Sequence, residues 1–322
     1  MLATSLCRRG WCLLLAACFA STARADETER LAVLVLDVEK GHAQPVAGEP
    51  LPEHSYCGSP SWSADGKRIM IDATPGKVWS KSHVFAGDDL LLEKPTFADV
   101  GPGNCPSWSP DGKRIAFLLN PGAVEGAASG IWIMNADGTE RQRLGGKGMP
   151  KWSPDGKQIL TVSFSNPCQL SLLDVQTGAE QLVAVPGLCY SVPSWAGDGQ
   201  TLIAVIRSEG PLSLALLDIS NLAQAKLKQV LWTRGNGLDA EPLYPVYSAA
   251  AKRCVFVGRG AKGLALYVLD PERKGVPQPL EQSQFDTKIA STAISPDGRR
   301  VLFCSDRLNK AAAKGAPKSI GP

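Results

Sequence analysis

Hydrophobic and polar positions follow one another in short runs along this chain, and a turn signal ends nearly every run. Short apolar runs bounded by Gly, Pro, Asn and Asp are typical of β-strands. The clearest example is 106–117, which reads Pro-Ser-Trp-Ser-Pro-Asp-Gly-Lys-Arg-Ile-Ala-Phe. Proline presets the first central position of a turn, and Asp-Gly tolerates the backbone of a tight reversal. The stretch therefore predicts one β-hairpin.

This hairpin recurs along the chain. Its six copies begin at Pro60, Pro106, Pro150, Pro193, Pro245 and Thr292. The copy at Pro245 has lost its Asp-Gly turn, and the last copy has Ile294 where the first four copies carry tryptophan. The steps between copies are 46, 44, 43, 52 and 47 residues. A unit of this period fits one four-stranded blade of a β-propeller.

A second motif lies between the hairpins. It is an apolar run that ends in a polar turn, and it occurs at 31–41, 131–140, 170–178, 214–218 and 264–270, with a weaker copy at 84–93. Such runs suit strands that are buried on both faces. The chain opens with this motif alone, at 31–46, and closes with the first hairpin alone, at 291–304. We expect the N-terminal strands to complete the C-terminal blade and close the ring.

The predicted fold is therefore all-β, a single six-bladed β-propeller of four-stranded antiparallel blades that spans 26–306. A tail over 307–322, rich in Ala, Gly, Pro and Lys, is expected to be disordered. About 297 residues could form two domains by length alone, but closed β architectures often run longer as one. The repeat favours one domain.

The N-terminus carries the pattern of an export signal. Arg8 and Arg9 precede an apolar run at 11–20 that is too short to span a bilayer, and Ala-Arg-Ala at 23–25 fits a cleavage site. The sequence thus predicts a signal peptide over 1–25 and a periplasmic or secreted protein. The alternative is a lipoprotein anchored at Cys18, since Leu-Ala-Ala-Cys resembles a lipobox. No other segment is long and apolar enough to be predicted as transmembrane.

Charge narrows the class of partner. Removal of 1–25 takes away three arginines and no acidic residue, so the mature chain has 34 − 3 = 31 basic residues against 31 acidic ones. A net charge near zero argues against nucleic acid and against a polybasic membrane surface. We expect a monomer that binds another protein.

The hairpin at 106–117, followed by Ile-Trp-Ile-Met-Asn-Ala-Asp-Gly-Thr at 131–139, resembles the repeat of the TolB-like propellers. The resemblance covers essentially all of the mature chain. It implies a six-bladed propeller exported to the periplasm, where the family engages a peptidoglycan-associated lipoprotein and other envelope components. The α/β domain that precedes the family's propeller has no counterpart in the roughly five residues between Ala25 and the first predicted strand. Similar repeats also precede hydrolase domains, and we expect no hydrolase domain after this propeller.

The loops divide into two faces. The Asp-Gly turns form one face, which is short, polar and stereotyped. The other, the connection face, carries the segments predicted to be irregular, at 47–59, 72–82, 97–105, 118–129, 186–192, 231–244 and 281–291. Variable loops on a rigid frame commonly carry function. The candidate binding residues at the channel mouth are His54, Tyr56, Asn104, Tyr190, Tyr244 and Lys288. The alternative is that each is an ordinary loop residue.

Four tryptophans occupy one position of the repeat, namely Trp62, Trp108, Trp152 and Trp195. They could form an aromatic platform for a ligand or pack between blades. The large apolar area of the indole ring favours packing, so we assign them a structural role.

Catalytic signals are sparse. The sequence at 258–263 matches G-x-G-x-x-G, but a strand follows where a dinucleotide site needs a helix. No G-x-S-x-G motif occurs. The three histidines, His42, His54 and His83, lie in the first quarter of the chain and cannot supply a ring of metal ligands. We predict no catalytic residue, no metal and no cofactor, with calcium left open because carboxylates and asparagines can bind it.

Six cysteines remain after cleavage, and an exported chain permits disulfides. The two candidate bridges are Cys57–Cys105, which precede the innermost strands of adjacent blades, and Cys168–Cys189, which flank one blade's outer hairpin. Cys254 and Cys304 lie in predicted strands and are expected to be buried thiols.

The function predicted from these features is an exported, non-enzymatic scaffold that binds an envelope or other protein partner through its connection face. The alternative is a metal-dependent propeller enzyme, either a carbohydrate-active lyase or a lactonase. An enzyme requires convergent acid–base groups at the channel mouth, whereas a scaffold requires an apolar patch with a polar rim.

Overall fold

The computed structural model describes residues 31–46, 55–76, 78–88, 96–271, 275–281 and 285–307. These residues form six antiparallel sheets, and the prediction of an all-β six-bladed propeller is confirmed. The predicted signal peptide, Cys18 and the tail beyond Arg307 lie outside the described residues. No helix in the described ranges is long and apolar enough to cross a membrane.

The first three blades each contain four strands that follow one another in the chain. Blade 1 contains β3 (Ser55–Trp62), β4 (Arg68–Pro75), β5 (His83–Asp88) and β6 (Phe97–Pro102). Blade 2 contains β7 (Asn104–Trp108), β8 (Arg114–Leu119), β9 (Gly130–Asn135) and β10 (Gln142–Gly145). Blade 3 contains β11 (Met149–Trp152), β12 (Gln158–Val162), β13 (Leu170–Asp174) and β14 (Glu180–Leu182). In each blade the first strand lies innermost, against the channel.

The last three blades complete the ring. Blade 4 contains β15 (Leu188–Cys189), β16 (Ser194–Trp195), β17 (Thr201–Arg207), β18 (Ser213–Asp218) and β19 (Lys226–Thr233). Blade 5 contains β20 (Glu241–Ser248), β21 (Arg253–Gly260), β22 (Gly263–Leu269) and β23 (Gln278–Pro279). Blade 6 contains β24 (Ile289–Ile294), β25 (Arg300–Ser305), β1 (Ala32–Asp37) and β2 (His42–Pro45). Short 3-10 turns occur at Trp79–Lys81 and Leu222–Gln224.

The ring closes through the two ends of the described chain. Strand β1 pairs antiparallel with β25, with Val33 opposite Cys304 and Leu36 opposite Val301. All four of these side chains are buried. The predicted completion of the last blade by the N-terminal strands is thus confirmed.

Serine and aspartate build the Asp-Gly turns. In blade 1, Ser63 Oγ donates to Asp65 Oδ1 over 2.5 Å and accepts from the backbone N–H of Arg68 over 2.9 Å. Asp65 Oδ1 also accepts from the N–H of Lys67. Gly66 has a φ of 67°, a left-handed conformation that favours glycine. The same serine–aspartate pair recurs in blades 2, 3 and 6, so each of these turns satisfies its own backbone.

The hydrophobic core lies between neighbouring blades. Trp62, Trp108 and Trp152 are buried, and an arginine from the preceding blade covers each ring. Arg68, for example, lies 4.4 Å from the centroid of Trp108 and donates to the carbonyl oxygen of Gly112 over 2.9 Å. We call this arrangement the arginine latch. It adds a cation–π contact and a hydrogen bond to the interblade packing.

Blade 4 departs most from the repeat. Its innermost strand is divided into β15 and β16, which both pair with β17. In the preceding blade, Gln158 occupies the position at which blades 1, 2 and 6 carry the latch arginine. Trp195 of blade 4 is only half-buried. Elsewhere, the segment 97–105 was predicted to be irregular, and this prediction is wrong. It forms β6 and the start of β7, because Phe97 is buried against the neighbouring strand.

Candidate binding site in the channel

The channel opens into a funnel on the connection face. The space between its walls is about 850 Å³, a volume that includes the part open to solvent. Its walls are largely apolar and include Tyr56, Trp79, Phe164 and Tyr244. Tyr56 and Trp79 meet edge to face, with ring centroids 5.2 Å apart. Aromatic walls with a few polar groups are typical of ligand sites.

β-Bulges in the innermost strands shape these walls. Ser59, Cys105 and Tyr244 have φ values of 42°, 52° and 49°, and each precedes the proline that begins a repeat. The register of the strand shifts at each of these positions. A residue before proline normally adopts an extended backbone, so three left-handed ones represent local strain.

Neighbouring blades satisfy two of the strained amides. The N–H of Cys105 donates to Asp72 Oδ2 over 2.8 Å, and the N–H of Tyr244 donates to Ser191 Oγ over 2.7 Å. These hydrogen bonds hold the bulges in place and bring Asp72 to the base of the funnel.

Asp72 lies on β4 and is 3% exposed. Burial raises its pKa to about 6, although the N–H groups of Cys105 and Asp72 itself, the Ser59 hydroxyl and the charge of Lys151 oppose the rise. Its carboxylate fits because Gly58 has no side chain. A Cβ at Gly58 would lie 2.6 Å from Asp72 Oδ1.

Lys151 lies on β11, half-buried, and lines both the funnel and the opening of the channel on the Asp-Gly face. Desolvation lowers its pKa, and the neighbouring Cys105 and Asp72 oppose that effect. Within the described part of the chain, its ammonium group has no hydrogen-bond or ion-pair partner. Of the described residues that line the funnel, Asp72 and Lys151 are the charged ones.

Both residues break the repeat. The other blades carry apolar residues at the position of Asp72, namely Leu118, Val162, Val205, Val257 and Cys304. At the position of Lys151 the other blades carry Ser61, Ser107, Ser194, Val246 and Ala293. Our reading of the sequence missed both residues. A comparison of the six copies position by position would have found them.

The serines at the Lys151 position have a structural role. Ser107 Oγ accepts from the N–H of Trp152 over 2.9 Å, and Ser194 Oγ donates to the carbonyl oxygen of Pro245 over 2.9 Å. Each hydroxyl therefore ties one blade to the next. Lys151 replaces such a hydroxyl with a charge that faces the channel.

The predicted binding residues separate into two groups. Tyr56, Asn104 and Tyr244 line the funnel. Asn104 is buried and donates to Ser82 Oγ over 3.0 Å, so part of its role is structural. Tyr190 lies under the guanidinium of Arg207, and the backbone N–H of Lys288 donates to Asp306, so both lie away from the funnel lining. His54 lies outside the described residues.

The six cysteines among the described residues are buried free thiols in this structure. Cys168 and Cys189 face each other across an antiparallel bridge, and the Cys168 N–H donates to the Cys189 carbonyl oxygen over 2.8 Å. A hydrogen bond between their thiols lowers the pKa of Cys168 and raises that of Cys189. Burial raises the pKa of Cys57 to about 12, with a further contribution from the charge of Asp72. Both predicted disulfides stay predictions.

Among the described residues, no three His, Cys, Asp or Glu side chains lie close enough together to hold a metal ion.

The role of the latch arginine was also not predicted from the sequence. The recurring Arg after Asp-Gly-Lys was the signal, but its contact lies in the next blade, about one repeat away.

Comparisons with known proteins bear on the fold. No protein-family model matches the chain, and no curated protein matches it. A solved TolB-like protein from Agrobacterium tumefaciens superposes with a TM-score of 0.63 at 18% identity, over 86% of this chain and 98% of that one. The fold is that of a TolB-like six-bladed propeller. TolB from Acinetobacter baumannii superposes with a TM-score of 0.52 at 18% identity, over 87% of this chain and 64% of that TolB. This chain thus spans just under two thirds of the second TolB, and likeness at this identity speaks for the fold alone.

Proposed function

We propose that this protein is an exported, non-enzymatic scaffold that binds a protein partner through its connection face. The observation that carries the proposal is the funnel. It is largely apolar, it is walled by Tyr56, Trp79, Phe164 and Tyr244, and it opens on the face where the blade connections lie. Aromatic residues are enriched at the buried centre of protein interfaces.

Exposed apolar side chains on the same face support the proposal. Val78, Val124 and Leu188 are 45%, 38% and 47% exposed. Val78 and Val124 belong to loops on the connection side of blades 1 and 2, and Leu188 begins β15 on that side of blade 4. The opposite face is built from Asp-Gly turns whose aspartates accept hydrogen bonds from backbone N–H groups of the same turn. Exposed apolar side chains on the face where the funnel opens give a partner apolar surface to bury.

The proposed location is the periplasm or the exterior of the cell. The charged, apolar and small-x-small segments of 1–25 support export, either with cleavage or with an anchor at Cys18. An envelope lipoprotein is the proposed partner class, from the resemblance to the TolB-like repeat.

Site-specific photo-crosslinking in the native host tests this function. A photoreactive phenylalanine is placed at Val124 or Leu188 on the connection face, and at Lys113 on the Asp-Gly face as the matched control. We expect the same partner to be crosslinked from both connection-face positions and not from Lys113. Crosslinks from Lys113 alone, equal crosslinks from all three positions, or none from any would contradict the proposal.

The second candidate is a metal-dependent lyase or lactonase. One observation favours an enzyme, because Asp72 and Lys151 both have shifted pKa values in a single cavity. Elemental analysis of the mature protein, before and after chelator, separates the two functions. If the protein is a scaffold, we expect no stoichiometric metal and a melting temperature that chelator does not change. A stoichiometric metal with a chelator-sensitive melt would favour the enzyme.

A further inference from the structure

Lys151 is a half-buried cation that lines the channel of the propeller. It borders both openings of the channel, and within the described residues its ammonium group has no protein acceptor. Removing an ammonium group from water is costly unless a partner compensates it. The charge of Asp72 offsets part of this cost, and an anion in the channel would supply the hydrogen-bond acceptor that the described residues do not provide.

The repeat shows that this cation is not required for folding. Blades 1, 2 and 4 carry serine at the same position, and serine there joins neighbouring blades by hydrogen bonds. Blades 5 and 6 carry the uncharged Val246 and Ala293 there, so a charge occurs at this position in one blade only. Proteins break their local sequence rules mainly at functional sites. The charge at position 151 therefore calls for a functional explanation.

We propose that Lys151 binds a carboxylate of a protein segment that enters the channel from the connection face. This inference rests on the proposed function and names the chemistry of its partner. The aromatic walls of the funnel would contact the segment, and the ammonium group would donate to its carboxylate. A single ammonium is a point charge that suits one anionic group at the end of an apolar segment.

Asp72 would tune this site. Its carboxylate lies close enough to Lys151 to influence its charge, and it forms hydrogen bonds with the N–H of Cys105. The titratable groups that face it are Cys57 on β3, Cys105 on β7 and Lys151 on β11. An ionised Asp72 repels an incoming carboxylate, so protonation of Asp72 should strengthen binding. Its pKa of about 6 places this change between neutral and mildly acidic pH.

Small probes test the site without knowledge of the partner. N-acetylphenylalanine carries an aromatic ring, a peptide-like amide and an α-carboxylate, and its amide derivative lacks only the charge. N-acetylaspartic acid α-amide offers a side-chain carboxylate instead. Dissociation constants are measured on the mature protein by calorimetry and by tryptophan fluorescence, since Trp79 lines the funnel.

The decisive variant is Lys151→Ser, which installs the residue of blades 1, 2 and 4. We expect the α-carboxylate or side-chain probe to bind wild type about 10- to 100-fold more tightly than the neutral amide, as a charge-assisted hydrogen bond implies. Lys151→Ser should abolish that preference, while Lys113→Ser on the opposite face should retain it. The arm that binds more tightly identifies a chain end or an acidic side chain as the ligand.

Equal binding of charged and neutral probes, or an unchanged preference in Lys151→Ser, would overturn the inference. A pH series adds a second measurement, because the pH dependence of the affinity for the charged probe would be absent if Lys151 had a purely structural role. Affinity for the charged probe should rise from pH 7.5 to pH 5.5 in wild type and stay level in Asp72→Asn, because model carboxylates remain ionised above about pH 5. The proposed function is tested separately, by the crosslinks from Val124 and Leu188, so its failure can be distinguished from failure of this inference.

Discussion

At the scale of single residues, this protein acquires a candidate site by two departures from its own repeat. Asp72 replaces an apolar residue and Lys151 replaces a small one, and both line the same funnel. Neither has an ion-pair partner within 4.0 Å in the described chain, so the cost of burying each charge is offset only in part, by the hydrogen bonds to Asp72 and by the attraction between the two residues. Gly58 makes room for the carboxylate. The site is thus built on a scaffold whose turns satisfy their own backbone hydrogen bonds.

The titration of Asp72 should appear in the stability of the protein. Its pKa is raised from 3.8 to about 6, so the folded state binds the proton more tightly than the unfolded state between these values. The free energy of unfolding should therefore fall as pH rises from about 4 to 6, by roughly 2–3 kcal/mol at about 1.4 kcal/mol per pKa unit. Denaturant melts of wild type and Asp72→Asn across this range provide the measurement. Asp72→Asn should lose this slope.

The turn aspartates provide the internal control for that experiment. Hydrogen bonds from serine lower the pKa values of Asp65, Asp111, Asp155 and Asp297. A lowered pKa gives stability that is present above the unfolded value of about 4 and is lost as pH falls further. Both proteins should lose stability on that acid limb. A slope between pH 4 and 6 that persists in Asp72→Asn would show that Asp72 is not its source.

The cysteine pairs also make a residue-scale prediction. Cys168 and Cys189 already share a hydrogen bond, so mild oxidation should join them with the loss of two hydrogen atoms. Intact-mass spectrometry with and without reductant measures this change, and Cys168→Ser should remove it. Cys57 and Cys105 flank Asp72, and a second loss of two hydrogens that survives Cys168→Ser would assign the other bridge. No mass change after oxidation would contradict both.

At the scale of elements, the blades are joined by the arginine latch as well as by apolar packing. Arg68 and Arg300 each cover the tryptophan of the next blade and donate to a glycine carbonyl of its turn. Blade 3 has Gln158 at this position, and the half-buried Trp195 follows it. The latch is therefore absent at one of the junctions that contain a tryptophan.

Restoring that latch should stabilise the protein. Gln158→Arg places a guanidinium next to Trp195 and should raise the free energy of unfolding by about 0.5–1 kcal/mol. Arg68→Ala removes both latch contacts and should cost about 1–3 kcal/mol. Chemical denaturation measures both variants. A neutral Arg68→Ala would mean that the latch contributes nothing to the junction between blades 1 and 2.

The elements were largely predictable because their signals are local. Asp-Gly turns and short, continuous apolar runs predicted the blades and the closure of the ring. The division of β15 from β16 was not predictable, since it depends on how blade 4 packs. Tyr56, Asn104 and Tyr244 line the funnel as their place before an innermost strand suggested, whereas Tyr190 turns away because Arg207 stacks on its ring.

The chemistry of the site was harder to predict for a physical reason. Asp72 and Lys151 lie 79 residues apart on different blades, and only the curvature of the ring brings them to one cavity. The sequence alone does not distinguish a buried charged residue in an apolar strand from one that lies on the protein surface. Its burial follows from the whole ring.

At the scale of the whole molecule, the ring depends on strands from both ends of the chain. Strands β1 and β2 complete blade 6, and Leu34 and Leu36 are buried against blade 5. Deletion of 31–46 should therefore abolish cooperative folding of the entire ring instead of loosening one blade. Circular dichroism during heating measures this. A truncated protein that melts cooperatively near the temperature of the intact protein would contradict the closure argument.

The central claim concerns the channel as the place where the propeller meets its partner. The most direct test is the dissociation constant of the partner identified by crosslinking, measured for Lys151→Ser against Lys113→Ser. Our account predicts that Lys151→Ser weakens binding about 10-fold or more and that Lys113→Ser leaves it unchanged. Equal affinity of the two variants, or a larger loss in Lys113→Ser, would contradict it.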